Sequence, residues 1–142
     1  MATDTRPELS DKNKWWISKH RYYELRHFCL QFPEWQKKFN EIDSLPSKSA
    51  YATDRVNTGW ISDPVELKAE IGEYYVSRMS LVQTVAYEAC DHQFWYPLLV
   101  DAVTHQKSYD ILEAQVGIMP VSRNEWYVLY RKFFWCLDKL RN

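Results

Sequence analysis

Glycine is scarce in this 142-residue chain, and its three copies lie too far apart to form a phosphate-binding loop. The three cysteines, Cys29, Cys90 and Cys136, form no CxxC pair, so the sequence lacks the signature of a zinc knuckle or of a disulfide framework. No apolar run approaches the roughly 20 residues that span a bilayer, and no signal-peptide pattern is present. These absences predict a reducing, intracellular setting without membrane contact.

Aromatic residues make up 16% of the chain, with strong helix formers between them. This composition predicts an all-α fold, and the length suits one domain with a core of its own. We expect a flexible tail at 1–13 and a single compact domain at 14–142, built as a bundle of five to six helices. Small polar residues dominate 44–62 and predict a loop or linker there.

Apolar residues recur at helical spacing in six segments. The predicted helices are 19–31, 33–42, 64–90, 91–106, 108–116 and 123–140. The third has a strong start, with Asp63 as N-cap, Pro64 in the first turn and Glu66 closing a capping box. In the fourth, Asp91 would cap an early start, and Pro97 would then either kink the helix or mark its true first turn. The predicted buried stripe of the third helix is Leu67, Ile71, Tyr74, Leu81, Val85 and Ala89.

The last two helices form a helix-turn-helix-like unit at 107–142, with Gly117 opening the turn. Ser122 and Glu125 form a second capping box, which fixes the start of the last helix near Arg123. The turn is longer than in a compact helix-turn-helix. The predicted buried stripe of the last helix is Trp126, Leu129, Tyr130, Phe133, Leu137 and Leu140.

The side of the last helix opposite this stripe carries residue types that contact DNA. Arg and Asn make bidentate contacts with guanine and adenine edges, while Tyr, Lys and further Arg hold phosphates. The candidates are Arg123, Asn124, Tyr127, Arg131 and Lys132. The alternative is that these are ordinary solvated residues on the outside of a helix.

A second candidate surface lies near the N-terminus, where basic residues alternate with aromatic ones. Its candidates for phosphate contact are Lys12, Lys14, Lys19 and Arg21. The alternative is that neighbouring rings such as Trp15 and Tyr22 pack on the core while the cations extend into water. The net charge is −1, but residues 59–106 carry only two Lys/Arg against seven acidic residues, so both ends of the chain are more basic than its middle.

No set of residues has the spacing of a catalytic or metal site. His20 and His27 are two helical turns apart, which is too far for a shared metal ion. Neither His92 nor His105 lies at a recognisable spacing from a nucleophile. We therefore predict no enzyme activity, no metal site and no cofactor.

Several segments occur in one order over residues 18–140. They are SKHRYYEL at 18–25, FPEW at 32–35, SYDIL at 108–112, Gly117-Ile118, Trp126-Tyr127 and YRKFF at 130–134. In these segments the chain resembles small phage and prophage proteins of Firmicutes related to the ArpU and RinA late transcription regulators. The resemblance implies a helix-turn-helix like that of sigma factor region four, phage promoter DNA as ligand and the bacterial cytoplasm as location.

The leading hypothesis is a phage-type DNA-binding transcriptional regulator with Arg123, Asn124, Tyr127 and Arg131 in the major groove. Lys107, Lys132 and the N-terminal Lys and Arg residues would then hold phosphates of double-stranded DNA. The alternative is a phage accessory protein whose aromatic surface binds and inhibits a host protein, for example a defence nuclease. A third interpretation is a terminase small subunit. Host RNA polymerase or a host defence protein would be the protein partner, and a homodimer is left open.

Overall fold

The computed structural model describes residues 14–43 and 64–141, which form six α-helices and contain no strand. The helices are α1 (Lys19–Leu30), α2 (Phe32–Asp43), α3 (Pro64–Ala89), α4 (Tyr96–His105), α5 (Tyr109–Val116) and α6 (Arg123–Arg141). The predicted all-α fold is confirmed. The predicted tail at 1–13, the predicted loop at 44–62 and the Asp63 cap lie outside the described residues.

Serine residues are the N-caps of α1 and α5, close to the predicted helix starts. The Ser18 Oγ accepts a hydrogen bond from the Arg21 N–H at 3.4 Å at the start of α1. The Ser108 Oγ accepts from the Ile111 N–H at 3.3 Å at the start of α5. Each hydroxyl satisfies a main-chain donor that has no partner inside the helix.

The turn between α3 and α4 explains why Asp91 does not begin a helix. Asp91 and His92 have φ angles of 54° and 65°, in the left-handed region. The His92 N–H donates to the Tyr87 carbonyl oxygen at 2.9 Å and closes the end of α3. Helix α4 then begins at Tyr96 with Pro97 in its first turn. The predicted Asp91 cap is therefore wrong, and the alternative start at Pro97 is confirmed.

One buried cluster contains residues from all six helices. Tyr22 of α1, Val85 of α3 and Phe133 of α6 are fully buried in it. Helix α3 contacts α2, α4 and α6, and α1 packs beside α6. Between α1 and α6, the Tyr22 and Phe134 rings meet edge-on with centroids 5.1 Å apart.

The predicted stripe of α3 is buried only in its second half. Val85 and Ala89 are buried, whereas Leu67, Ile71 and Tyr74 expose between 39% and 50% of their surface. Helix α2 packs on this half of α3 from a different side, where the Phe39 ring approaches Gly72. The prediction that Leu67, Ile71 and Tyr74 are core residues is therefore wrong.

The predicted stripe of α6 needs two corrections. Trp126, Phe133 and Leu137 are buried as predicted, but Leu140 exposes 57% of its surface near the helix end. Phe134, which the predicted stripe leaves out, is fully buried. Helix α1 covers the side of α6 that carries Phe134, so the buried surface of α6 is wider than a single stripe.

Candidate nucleic-acid interface

Reciprocal hydrogen bonds hold the start of α6. The Glu125 N–H donates to Ser122 Oγ at 3.2 Å, and the Ser122 N–H donates to Glu125 Oε1 at 3.3 Å, so the predicted capping box is confirmed. In the preceding turn the Tyr109 hydroxyl donates to the Val121 carbonyl oxygen at 2.9 Å, and Gly117 has a φ of 91°, which favours glycine. These contacts fix the first turn of α6 relative to α5.

Asn124, Tyr127 and Arg131 lie on one face of α6, because they are separated by three and four residues. Asn124 is exposed, and Tyr127 and Arg131 are half-buried. Within the described part of the chain, the side chains of Asn124 and Arg131 form no hydrogen bond or ion pair. Their polar atoms therefore remain available for a ligand.

Arg123 is engaged with two neighbours. Its Nη2 donates to Asp110 Oδ1 at 2.5 Å, and its guanidinium lies 4.8 Å from the centroid of the Tyr109 ring. The hydrogen bonds with Asp110 and then Tyr127 raise the pKa of Arg123, and the hydrogen bond from Arg123 lowers the pKa of Asp110. Arg123 thus joins α5 to α6, and direct contact with a base would require this ion pair to open.

Lys132 and Lys107, both predicted to hold phosphates, form ion pairs. The Lys132 Nζ lies 3.2 Å from Asp91 Oδ1, and the Lys107 Nζ lies 2.9 Å from Asp101 Oδ2. Such pairs stabilise a fold little, but each carboxylate weakens the positive potential that a phosphate would meet. Both lysines are consequently weaker candidates for phosphate contact than the sequence indicates.

Arg21 joins α1 to α6. Its Nη1 donates to Glu24 Oε1 and its Nε donates to Asp138 Oδ1, each at 2.6 Å. These two hydrogen bonds raise the pKa of Arg21, with the contribution of Glu24 the larger. Arg21 therefore positions α1 against the last turns of α6.

The predicted N-terminal surface lies directly against α6. The Trp15 ring meets the Trp135 ring edge-on, with centroids 5.0 Å apart. The Nζ atoms of Lys14 and Lys132 lie 4.7 Å and 5.5 Å from the centroid of Trp15, and the Lys139 Nζ lies 4.9 Å from that of Trp135. The two surfaces predicted separately are therefore one surface, which we call the lysine–tryptophan row (Lys14, Trp15, Lys132, Trp135 and Lys139). Lys19, at the start of α1, is exposed, and Lys12 lies outside the described residues.

Charge is distributed unevenly among the helices. Residues 14–30 carry four Lys/Arg and one acidic residue, and residues 123–141 carry five Lys/Arg and two acidic residues. Residues 64–105, which contain α3 and α4, carry two Lys/Arg and six acidic residues. Because α1 packs beside α6, the first two segments place net positive charge side by side, and we call them the positive side; Arg21, Arg123 and Lys132 within it already pair with carboxylates.

Two cations of α6, Lys139 and Arg141, are not among the residues predicted from the sequence. The Arg141 guanidinium lies 4.1 Å from the centroid of the Phe28 ring. Helical spacing gave a signal for Lys139, which follows Trp135 by one turn. The contact of Trp135 with Trp15 had no such signal, because these rings come from opposite ends of the chain.

The described residues hold no group of three His, Cys, Asp or Glu side chains arranged to bind a metal ion. Burial raises the pKa of Cys90 to about 12 and also raises those of Cys29 and Cys136. All three thiols are therefore protonated and poorly nucleophilic at neutral pH. None of the described helices combines the length and the apolar character that crossing a membrane requires.

Comparison with known proteins gives no match. No protein-family model matches the chain, and neither a curated protein nor a solved structure does.

Proposed function

We propose that this protein is a phage-type transcription regulator that binds double-stranded DNA with the positive side formed by α1 and α6. The observation that carries the proposal is the meeting of two basic segments, because Trp15 packs on Trp135 and brings Lys14 onto the outer surface of α6. Amines beside aromatic rings suit contact with a nucleic-acid backbone.

Asn124 and Arg131 are the candidates for base contact. The stretch of α6 from Arg123 to Arg131 lies before Trp135, on which Trp15 packs, and is about 12 Å long at 1.5 Å per residue. This length is comparable to the roughly 12 Å width of the major groove, and the N-terminal residues of a recognition helix are those that contact bases. Arg131 would then pair with guanine, and Asn124 with adenine.

Lys14, Lys19 and Lys139 are the candidates for phosphate contact. All three are exposed, and none forms an ion pair within the described part of the chain. Tyr127 lies beside Arg131, and its hydroxyl would reach a further phosphate once its hydrogen bond with Arg123 opens. Arg123 acts by holding α5 against the start of α6, since its guanidinium is already bound by Asp110.

The test is duplex DNA affinity as a function of salt. A randomised pool of short duplexes is selected with the full chain, and the selected duplex is titrated by fluorescence anisotropy over a range of salt concentrations. Lys14→Ala should lower the slope of log affinity against log salt by about one, because one phosphate contact is lost. Arg131→Ala should weaken binding by about 1 to 3 kcal/mol and relax the preference at one base pair.

Lys37→Ala is the matched control, since Lys37 is an exposed lysine on α2. It should leave both affinity and salt slope unchanged. Absence of salt-dependent binding to every selected duplex would overturn the proposal. An effect of Lys37→Ala as large as that of Lys14→Ala would overturn it as well, because the positive side would then have no special role.

A further inference from the structure

A groove of about 480 Å³ lies between the turn that joins α3 to α4 and the first turns of α6. Its apolar wall is formed by Trp95, Pro120, Val121, Val128 and Leu129. Glu125 and Leu129, one helical turn apart, both line it. Val128, one turn after Asn124 and one turn before Arg131, lines it as well, so the groove adjoins the face of α6 that carries Asn124 and Arg131.

Two large apolar residues that are close in sequence to the lining residues are almost fully exposed. Phe94, which precedes the lining residue Trp95, and Ile118, in the turn before α6, each expose 87% of their surface. The turn that carries Phe94 is fixed by the hydrogen bond from the His92 N–H to the Tyr87 carbonyl oxygen. Exposed apolar side chains in fixed positions beside a groove are typical of a surface that binds a protein, because little ordering is needed on binding.

The rim of the groove is acidic. Asp91 and Glu125 both line it, and the side chain of Asp91 remains 77% exposed although one of its oxygens faces Lys132. Carboxylates repel phosphate, so this groove does not extend the DNA-binding side. They favour a partner that places Lys or Arg at the rim.

We propose that this groove docks a short segment of another protein in which an aliphatic side chain stands close to a Lys or Arg. The aliphatic side chain packs against Val128 and Leu129, and the cation lies between Asp91 and Glu125. The groove adjoins the DNA-binding side at Val128 and Lys132, but peptide docking does not depend on the proposed DNA contact.

The test uses the intact chain to select from a displayed library of random peptides, followed by affinity measurements with a synthetic consensus peptide. The expected consensus pairs Val, Ile or Leu with a nearby Lys or Arg. Asp91→Asn removes the rim charge and keeps a residue that tolerates the left-handed backbone, and Val128→Ser removes the aliphatic contact. Each should weaken peptide binding about fivefold or more. Ile111→Ala is the matched control, since Ile111 is 46% exposed on α5 and does not line the groove.

Three results would overturn this proposal: no enriched peptide, an acidic consensus, or a peptide that binds Asp91→Asn and Val128→Ser as tightly as the parent chain. Self-association that light scattering detects and Val128→Ser abolishes would also overturn it, because a second copy would then fill the groove. Duplex DNA affinity separates the two proposals. Lys14→Ala and Arg131→Ala should weaken duplex binding and leave peptide affinity unchanged, because neither residue lines the groove.

Discussion

Trp15→Ala tests whether the N-terminal segment is held on α6. The substitution removes the edge-on contact with Trp135 and the contacts of the ring with the amines of Lys14 and Lys132. An aromatic pair contributes about 0.5 to 1.5 kcal/mol beyond its burial, and each exposed contact between a cation and a ring about 0.5 to 1 kcal/mol. We therefore expect the free energy of unfolding to fall by about 1.5 to 3.5 kcal/mol.

Urea titration followed by circular dichroism measures this loss. Trp16→Ala is the control, because Trp16 is 39% exposed and forms no ring contact within the described residues. In DNA binding, Lys14→Ala should have little further effect once Trp15 is Ala, because Trp15 holds Lys14 in place. A destabilisation below about 0.5 kcal/mol, within the range of ordinary surface substitutions, would refute the reasoning, and so would additive effects on DNA affinity.

Three further results are expected. Leu137→Ala should lower the free energy of unfolding in urea by about 2 to 5 kcal/mol because Leu137 is fully buried, whereas Leu140→Ala should change it by less than about 0.5 kcal/mol; equal losses would contradict the observed exposure. Gly117→Ala should lower the free energy of unfolding by about 1 to 3 kcal/mol in the same titration because of the positive φ at this position. A steric clash does not contribute, because no atom lies within 4 Å of an added Cβ, and an unchanged free energy would contradict this expectation. Arg123 lowers the pKa of Asp110 below its ordinary 3.8, so their pair stabilises the fold above that pH and loses this effect as the pH falls. Asp110→Asn should therefore lower the melting temperature near neutral pH but not in strong acid, and a difference that grows in acid would contradict the assignment.

Most helix ends are predictable from the sequence because capping is local. Ser122 and Glu125 are three residues apart, so their hydrogen bonds follow from the order of residues alone. Burial of Trp126 and Phe133 follows from helical spacing in the same way. The start of α4 is harder to predict, because Asp91 is a residue type that often caps helices but here has a left-handed backbone conformation.

Contacts between distant segments are not predictable from periodicity. Spacing marks Leu67 and Tyr74 of α3 as core residues, yet both are exposed because α2 packs on a different side. The pairing of Arg21 with Asp138 likewise joins opposite ends of the chain. The candidate DNA-binding residues could therefore be named from the sequence, but which of their charges are already neutralised could not.

Acetylation footprinting of lysines, with and without the selected duplex, tests most directly whether α1 and α6 form the DNA-binding side. Lys14, Lys19 and Lys139 should become protected from the reagent when the duplex is bound. Lys37 and Lys38 on α2 should react at the same rate in both states, because they lie on a different helix and have no part in the proposed contact. Protection of Lys37 and Lys38 without protection of Lys14 and Lys139 would contradict the proposed DNA-binding side.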